Sequence, residues 1–142
     1  KTVRTFCYFN CNLYMVQCDG KDDFWPRDYL ETPGGGVEEF ETNEQALKRE
    51  IEEELKLKLD FKLISIEENI SKANKFQMLE FVYYAEIDSF ESIELPNDGW
   101  DKFKIVEIKD IDNIDIRPKT INNLIKCDEY SSISHNVNYD WA

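Results

Sequence analysis

Aromatic and β-branched residues are gathered in short runs along the chain, and turn-forming residues separate the runs. Residues 3–9 and 13–17 predict two strands with an Asn-Cys-Asn break between them. The charged segment 19–28 predicts a loop. Residues 29–32 predict a short third strand, which Pro33 and the three glycines after it bring to an end.

A helix is predicted next, because apolar residues recur there every four positions. Those positions are Leu47, Ile51 and Leu55. Thr42 or Asn43 can cap the N-terminus, so we expect the helix over residues 42–55.

In the second half of the chain, apolar runs are again separated by polar and turn-forming residues. Further strands are predicted over residues 57–66, 77–87 and 103–108. Pro118 then opens a second helix over residues 119–127, and the tail 131–142 is expected to be weakly structured. This order of elements predicts an α/β sandwich, in which a mixed sheet lies between the two helices.

Composition limits the partners of the chain. Its 142 residues suit a single domain, 1–142, and 17 basic residues against 30 acidic ones give a net charge of −13. Binding to DNA or RNA needs clustered Lys and Arg, so we expect no nucleic-acid partner. Any polyanionic substrate must be small and brought in by metal ions. No apolar run is long enough to cross a bilayer. A soluble, cytoplasmic protein without a membrane partner is therefore expected.

Glutamates are concentrated in the predicted helix 42–55. At about 100° per residue, Glu50, Glu53 and Glu54 stand at i, i+3 and i+4, so their carboxylates share one face. Such like charges repel unless a cation lies among them, and Mg²⁺ and Mn²⁺ prefer carboxylate oxygens. The helix therefore predicts a metal-binding platform.

The segment before this helix supports the same interpretation. Glycines at 34–36 allow the backbone to approach a ligand, and a carbonyl there could join the metal coordination. Glu41 and Arg49 carry opposite charges and are placed to tie the loop to the helix. A glutamate-rich helix by itself is usually a solvated surface, but here the glycines, Glu41 and Arg49 stand in register with it.

Segment 35–57 resembles the Nudix box. That pattern is Gly, five residues, Glu, seven residues, Arg-Glu, an aliphatic residue, one residue, Glu-Glu, one residue, Gly and an aliphatic residue. Eight of its nine positions match, namely Gly35, Glu41, Arg49, Glu50, Ile51, Glu53, Glu54 and Leu57. Lys56 stands where the family has glycine, which affects the local turn and removes no metal ligand. The resemblance implies the Nudix fold, an α/β/α sandwich around a mixed sheet.

The resemblance also implies roles for individual residues. The implied metal ligands are the Gly34 carbonyl, Glu50, Glu53 and Glu54. The implied catalytic set is Arg49, Glu50 and Glu53, in which Glu50 is a ligand or the general base and Arg49 orients it. Gly35 and Glu41 are structural residues of the box. The implied cofactor is Mg²⁺ or Mn²⁺, and the reaction is attack of metal-activated water on one phosphorus of a diphosphate.

Outside the box the candidates rest on weaker signals. Asp98 is a candidate for an additional metal ligand, although the turn that it forms with Asn97 and Gly99 is a sufficient explanation. Four aromatic residues could either stack on a nucleobase or pack in the core. They are Phe6, Trp25, Tyr83 and Trp100.

The leading hypothesis is a Nudix pyrophosphohydrolase that acts on a nucleoside triphosphate as a housecleaning enzyme. ADP-ribose, nucleotide sugars and diadenosine polyphosphates stay open as substrates, because loops outside the box set specificity. The alternative is a non-catalytic nucleotide-binding or regulatory module, which would be expected to lack box glutamates that this chain retains. A small nucleotide is the expected partner, and the oligomeric state, a homodimer included, stays open.

Overall fold

The computed structural model describes residues 32–87 almost without a break and separate segments on either side of them. The described residues are 2–9, 13–17, 21–22, 25–26, 32–56, 58–73, 75–87, 103–116, 119–120, 122–123 and 132–139. Within these, the description does not extend to the side chains of residues 2–26, Glu54, Leu55, Phe76, Ile87, 103–106 and Ile108.

The described strands form one large mixed sheet and one small hairpin. The large sheet contains β1 (Thr2–Phe9), β2 (Leu13–Gln17), β5 (Gly34–Gly36), β6 (Lys62–Ser71), β7 (Phe76–Ile87), β8 (Phe103–Glu107) and β9 (Ser134–Tyr139). The hairpin contains β3 (Lys21–Asp22) and β4 (Trp25–Pro26). In the large sheet the order is β8-β2-β1-β7-β6-β9, and β5 also pairs with β1. The β1/β7 and β6/β9 pairs are parallel, while the other pairs are antiparallel.

Helix α1 (Asn43–Leu55) confirms the helix predicted from the apolar spacing. Thr42 is its N-cap: the Gln45 N–H donates to Thr42 Oγ1 at 3.2 Å, and the Thr42 N–H donates to Gln45 Oε1 at 2.9 Å. This reciprocal capping box satisfies two backbone donors at the start of the helix. Ala46, Leu47 and Ile51 are fully buried, so the part of the predicted apolar stripe that the structure describes, Leu47 and Ile51, enters the core.

The second face of the sheet is covered by a helical segment near the C-terminus. Tyr83 on β7 faces α1, where Asn43 and Glu44 lie close enough to affect its pKa. Glu80 lies three residues before Tyr83 along β7, so its side chain faces the opposite side of the sheet. Glu67, which pairs with Glu80, faces that same side. Thr120 donates to Glu67 there. The sheet thus lies between α1 and the helical residues 120 and 122–123, as the predicted sandwich requires; positions 124–127 of the predicted second helix lie outside the described residues.

Several elements differ from the sequence-based prediction. The glycine run at 34–36 is expected to end a strand, but it forms β5 and pairs antiparallel with Thr2–Arg4 of β1. Residues 21–22 and 25–26 pair within the segment expected to be a loop. The strand expected from residue 57 begins at Lys62, and residues 108–113 form a 3-10 helix after β8.

The tail also differs from expectation, because residues 134–139 form β9 beside β6. Alternate residues of β9 are exposed and half-buried, a pattern typical of a strand at the edge of a sheet. No helix in the described part of the chain has the length and apolar character needed to cross a membrane.

Candidate metal-binding and catalytic site

Arg49 joins the loop between β5 and α1 to the helix. Its Nε donates to Glu41 Oε2 at 2.8 Å and its Nη2 donates to Glu41 Oε1 at 2.9 Å. The guanidinium and the carboxylate therefore meet through two parallel hydrogen bonds, the strongest geometry for this pair. Arg49 Nη2 also donates to the Gly36 carbonyl oxygen at 3.3 Å. The predicted link between Glu41 and Arg49 is present, and it fixes the loop against the helix.

The same guanidinium lies among the glutamates of the predicted metal platform. Arg49 Nη1 donates to Glu50 Oε1 at 3.0 Å and forms a longer ion pair with Glu53 Oε2 at 3.8 Å. It also lies 3.8 Å from Glu38 Oε1. The Arg49 guanidinium thus contacts carboxylates from both the loop and the helix, and its positive charge partly offsets the repulsion between these carboxylates.

The electrostatic consequences are clearest at Glu41. Hydrogen bonds from Arg49 and from the Glu38 N–H lower the pKa of Glu41 to about 2. The hydrogen bonds to Glu41 in turn raise the pKa of Arg49. Both groups are therefore charged at neutral pH, and the contact holds the loop at any pH where the enzyme would work.

Gly35 allows the Glu50 carboxylate to approach the backbone of β5. A Cβ atom added at Gly35 would lie 2.5 Å from Glu50 Cδ and 2.5 Å from Glu50 Oε1, closer than real Cβ contacts occur. A Cβ atom at Gly36 would meet nothing within 4 Å. A side chain at Gly35 would thus displace the Glu50 carboxylate, whereas Gly36 has space for one. Gly34, which precedes them, has a φ of 156°.

The residues present fit a hard divalent cation. Glu50 is mostly buried, with 17% of its side chain exposed, and Glu53 is 62% exposed one turn further along the same face of α1. The hydrogen bond from Arg49 engages Glu50 Oε1 and not Oε2. The donors are all oxygen atoms, the ligands that Mg²⁺ and Mn²⁺ prefer. Among the described side chains, which do not include that of Glu54, no three His, Cys, Asp or Glu residues form a complete metal-binding group.

The structure separates the remaining candidates. Tyr83 is 5% exposed, and burial raises its pKa. Phe6 and Trp25 lie in β1 and β4, but their side chains are outside the described part. Asp98 and Trp100 also lie outside the described residues.

A buried polar cluster on the other face of the sheet is absent from the sequence-based prediction. Glu67 is fully buried, and its Oε1 accepts hydrogen bonds from Ser65 Oγ at 3.1 Å, Thr120 Oγ1 at 2.8 Å and Asn136 Nδ2 at 3.2 Å. Its Oε2 accepts from Asn138 Nδ2 at 3.3 Å. Burial raises the pKa of Glu67, and these hydrogen bonds act against the rise. The cluster therefore connects β6, β9 and the helical segment within the fold.

Comparison with known proteins places this geometry in a family. The family model described as the NUDIX domain matches residues 3–124. Strand β9 lies beyond the matched residues. No curated protein sequence matches the chain.

Solved structures with the same fold include proteins of different activities. The Ap4A hydrolase of C. elegans is 16% identical, covers 87% of this chain and 89% of its own, and has a TM-score of 0.62. A MutT protein from Bacillus halodurans is 12% identical, with 99% and 92% covered and a TM-score of 0.65. NrtR of Shewanella oneidensis, solved with a 27mer DNA, is 17% identical, with 88% and 58% covered and a TM-score of 0.68. At these identities the likeness shows the fold alone.

Proposed function

Because the chain belongs to the Nudix family and is a pyrophosphohydrolase of that family, we propose that it cleaves a diphosphate linkage in a nucleotide with Mg²⁺ or Mn²⁺ as cofactor. The observation that carries the proposal is the arrangement around Arg49. One guanidinium holds the loop through Glu41 and contacts Glu50 and Glu53 on the helix. Carboxylates held in a fixed geometry are what a catalytic metal site needs.

The proposal assigns roles to Arg49 and three glutamates of the box, and to Gly34 directly before it. Glu50 and Glu53 would hold the cation, together with Glu54 and the Gly34 carbonyl oxygen. When bound, the cation lowers the pKa of a water molecule and neutralises phosphate charge. Arg49 orients Glu50 through the 3.0 Å hydrogen bond. Glu50 acts either as a metal ligand or as the general base that accepts a proton from the attacking water.

The substrate that we propose is a nucleoside triphosphate, with the chain acting as a housecleaning pyrophosphohydrolase. The net charge of −13 favours a small substrate whose phosphates are neutralised by cations over a nucleic acid that needs a basic surface. A likeness to a MutT protein supports this choice, and the likeness to an Ap4A hydrolase keeps diadenosine polyphosphates as the second substrate class to test.

The proposal is tested by a hydrolysis screen and a matched pair of variants. The wild-type protein is incubated with nucleoside triphosphates, diadenosine polyphosphates, ADP-ribose and nucleotide sugars, with Mg²⁺, with Mn²⁺ and with a chelator. Glu53→Gln is compared with Glu52→Gln, which makes the same change one position away at another exposed residue of α1. Glu53→Gln should lower turnover by about a hundredfold or more and weaken metal binding, whereas Glu52→Gln should retain activity.

Stability measurements keep the result interpretable. Glu53 is mostly exposed, so both variants should unfold within about 0.5 kcal/mol of the wild type. Equal turnover in Glu53→Gln and wild type would refute the assignment of the metal site. Tight nucleotide binding without metal-dependent hydrolysis of any substrate would refute the catalytic proposal in favour of a nucleotide-binding module.

A further inference from the structure

Phe40 is presented to solvent in an unusual way in the loop between β5 and α1. Its side chain is 96% exposed, and its backbone is left-handed, with φ at 66°. Both features are unfavourable: residues with a Cβ atom rarely take this conformation, and a fully exposed aromatic ring contributes no burial to the core. The fold therefore gains almost nothing from the ring itself.

The loop holds this conformation through contacts on both sides of Phe40. The Glu38 N–H donates to Glu41 Oε1 at 2.9 Å, and the Glu41 N–H donates to the Glu38 carbonyl oxygen at 3.2 Å. Glu41 is held in turn by Arg49, and Thr42 caps α1. Because neighbours on each side are fixed, the position of Phe40 is set by the loop and not by contacts of its ring. Such strain at a rigid loop is typical of functional sites.

Phe40 belongs to the loop that Arg49 ties to the candidate site. Phe40 is bonded to Glu41, whose carboxylate contacts Arg49, and Arg49 contacts Glu50. These contacts tie the loop that carries Phe40 to the helix that carries Glu50 and Glu53. In the proposal below, the base of a substrate bound at these glutamates lies on the side of this loop. An aromatic side chain offers such a substrate a flat apolar surface.

The surroundings of Phe40 favour a small planar ligand over a protein. Glu38 and Glu39 beside it are exposed and charged. The other exposed large hydrophobic residues that the structure describes lie elsewhere along the chain, on β7 and at or near β9: Leu79, Ile133, Val137 and Tyr139. A protein-docking surface is normally a contiguous apolar patch. One isolated ring matches one planar group.

We propose that Phe40 is a substrate-specificity residue whose ring stacks on the nucleobase of the bound nucleotide. The inference rests on the proposed function, because it needs the substrate's diphosphate at the box glutamates. Stacking between a base and an aromatic side chain tolerates different bases, since every base has a flat π-face. Phe40 would accordingly select for nucleotides over diphosphates without a base, and less strongly among the bases.

The test compares variants at Phe40 with a control at a distant exposed aromatic residue. Phe40→Ala should raise KM for a nucleoside triphosphate by roughly five- to a hundredfold with kcat within about threefold of wild type. KM for inorganic tripolyphosphate, which has no base, should not change. Phe40→Trp should restore the low KM. Tyr139→Ala removes a 68% exposed ring from β9 and should leave all kinetic constants unchanged.

A stability measurement and a binding measurement complete the design. Phe40→Gly should raise Tm by about 2–4 °C, because glycine accepts the left-handed backbone, and should raise KM as the Ala variant does. Calorimetric titration with a nucleoside diphosphate measures the base contact without turnover. If wild type and Phe40→Ala bind this ligand equally, or if wild type does not bind it, the inference is wrong. An active wild type with unchanged KM in Phe40→Ala would overturn the stacking role and leave the proposed hydrolysis intact.

Discussion

Lys56 ends α1 in a conformation that glycine would adopt with less strain. Its φ and ψ are 57° and 36°, and its N–H donates to the Glu52 carbonyl oxygen at 3.1 Å. This is the left-handed cap at which the family has glycine, and the side chain of Lys56 is exposed. The substitution Lys56→Gly therefore changes the backbone preference at one position without removing a buried contact.

The expected gain is the difference between two opposing effects. A left-handed conformation costs a residue with a Cβ atom about 1–2 kcal/mol relative to the right-handed one, and glycine avoids most of this cost. Glycine also loses more conformational freedom on folding, which costs about 0.5–1 kcal/mol. The balance is a stabilisation of about 0.5–1 kcal/mol, or roughly 1–4 °C in Tm for a chain of this length.

Lys48→Gly provides the matched control for this prediction. Lys48 is an exposed lysine inside α1, so the control makes the same substitution and removes the same charge. Glycine inside a helix is less stable than lysine by roughly 0.7 kcal/mol. Urea denaturation and thermal melts of the two variants should therefore move in opposite directions from the wild type.

A destabilised Lys56→Gly protein would refute the argument from the left-handed cap. Turnover is measured in the same samples. No loss is expected, because Lys56 lies beyond the last carboxylate of the box. Turnover of Lys56→Gly should stay within about threefold of wild type. A folded variant with a loss of a hundredfold or more would show a catalytic role for Lys56 that neither its position nor its exposure predicts.

Two further predictions concern the site and the polar cluster behind the sheet. Gly35→Ala should lower turnover by about a hundredfold with a small change in stability, because the new methyl group would displace the flexible Glu50 side chain. Gly36→Ala is the control and should be active. Equal activity of the two variants would argue against the close approach of Glu50 to Gly35. Glu67→Gln should change how stability depends on pH. Burial raises the pKa of Glu67 above 4.5, so the folded state keeps this proton to higher pH than the unfolded chain, and the wild type loses stability as pH rises from 4.5 through the folded pKa. The glutamine variant lacks this loss, so the free energy of unfolding of Glu67→Gln minus that of wild type should increase over that window in urea titrations; a constant difference would contradict the raised pKa.

The box could be predicted from the sequence because its information is local. Glu50 and Glu53 share a face through helical geometry, and the capping residue Thr42 stands directly before the helix. The link between Glu41 and Arg49 spans eight residues and was inferred from opposite charges in a fixed register. Each of these contacts depends on one helix and the loop before it.

The remaining features depend on contacts between distant segments. Glu67 and Asn136 are 69 residues apart, and neither residue alone indicates a partner. The segment at 134–139 is polar and short, so its propensity for strand is weak until β6 offers it a neighbour. Glycines at 34–36 are likewise poor strand formers, and they become β5 because β1 pairs with them. Pairing in the sheet overrides local preference at both places.

Phe40 and Lys56, one on each side of α1, both have a left-handed backbone. Comparing their glycine variants tests whether the side chain at either position contributes to function. Both residues should become more stable as glycine, since the same backbone conformation is relieved in each. The side chains differ in place: Phe40 adjoins Glu41 on the loop tied to Arg49, whereas Lys56 follows the last turn of the helix. If strain alone mattered, the two glycine variants would behave alike. We expect instead that both gain stability and that only Phe40→Gly loses affinity for nucleotide, because the proposal gives the Phe40 ring a contact with the base and gives the Lys56 side chain none.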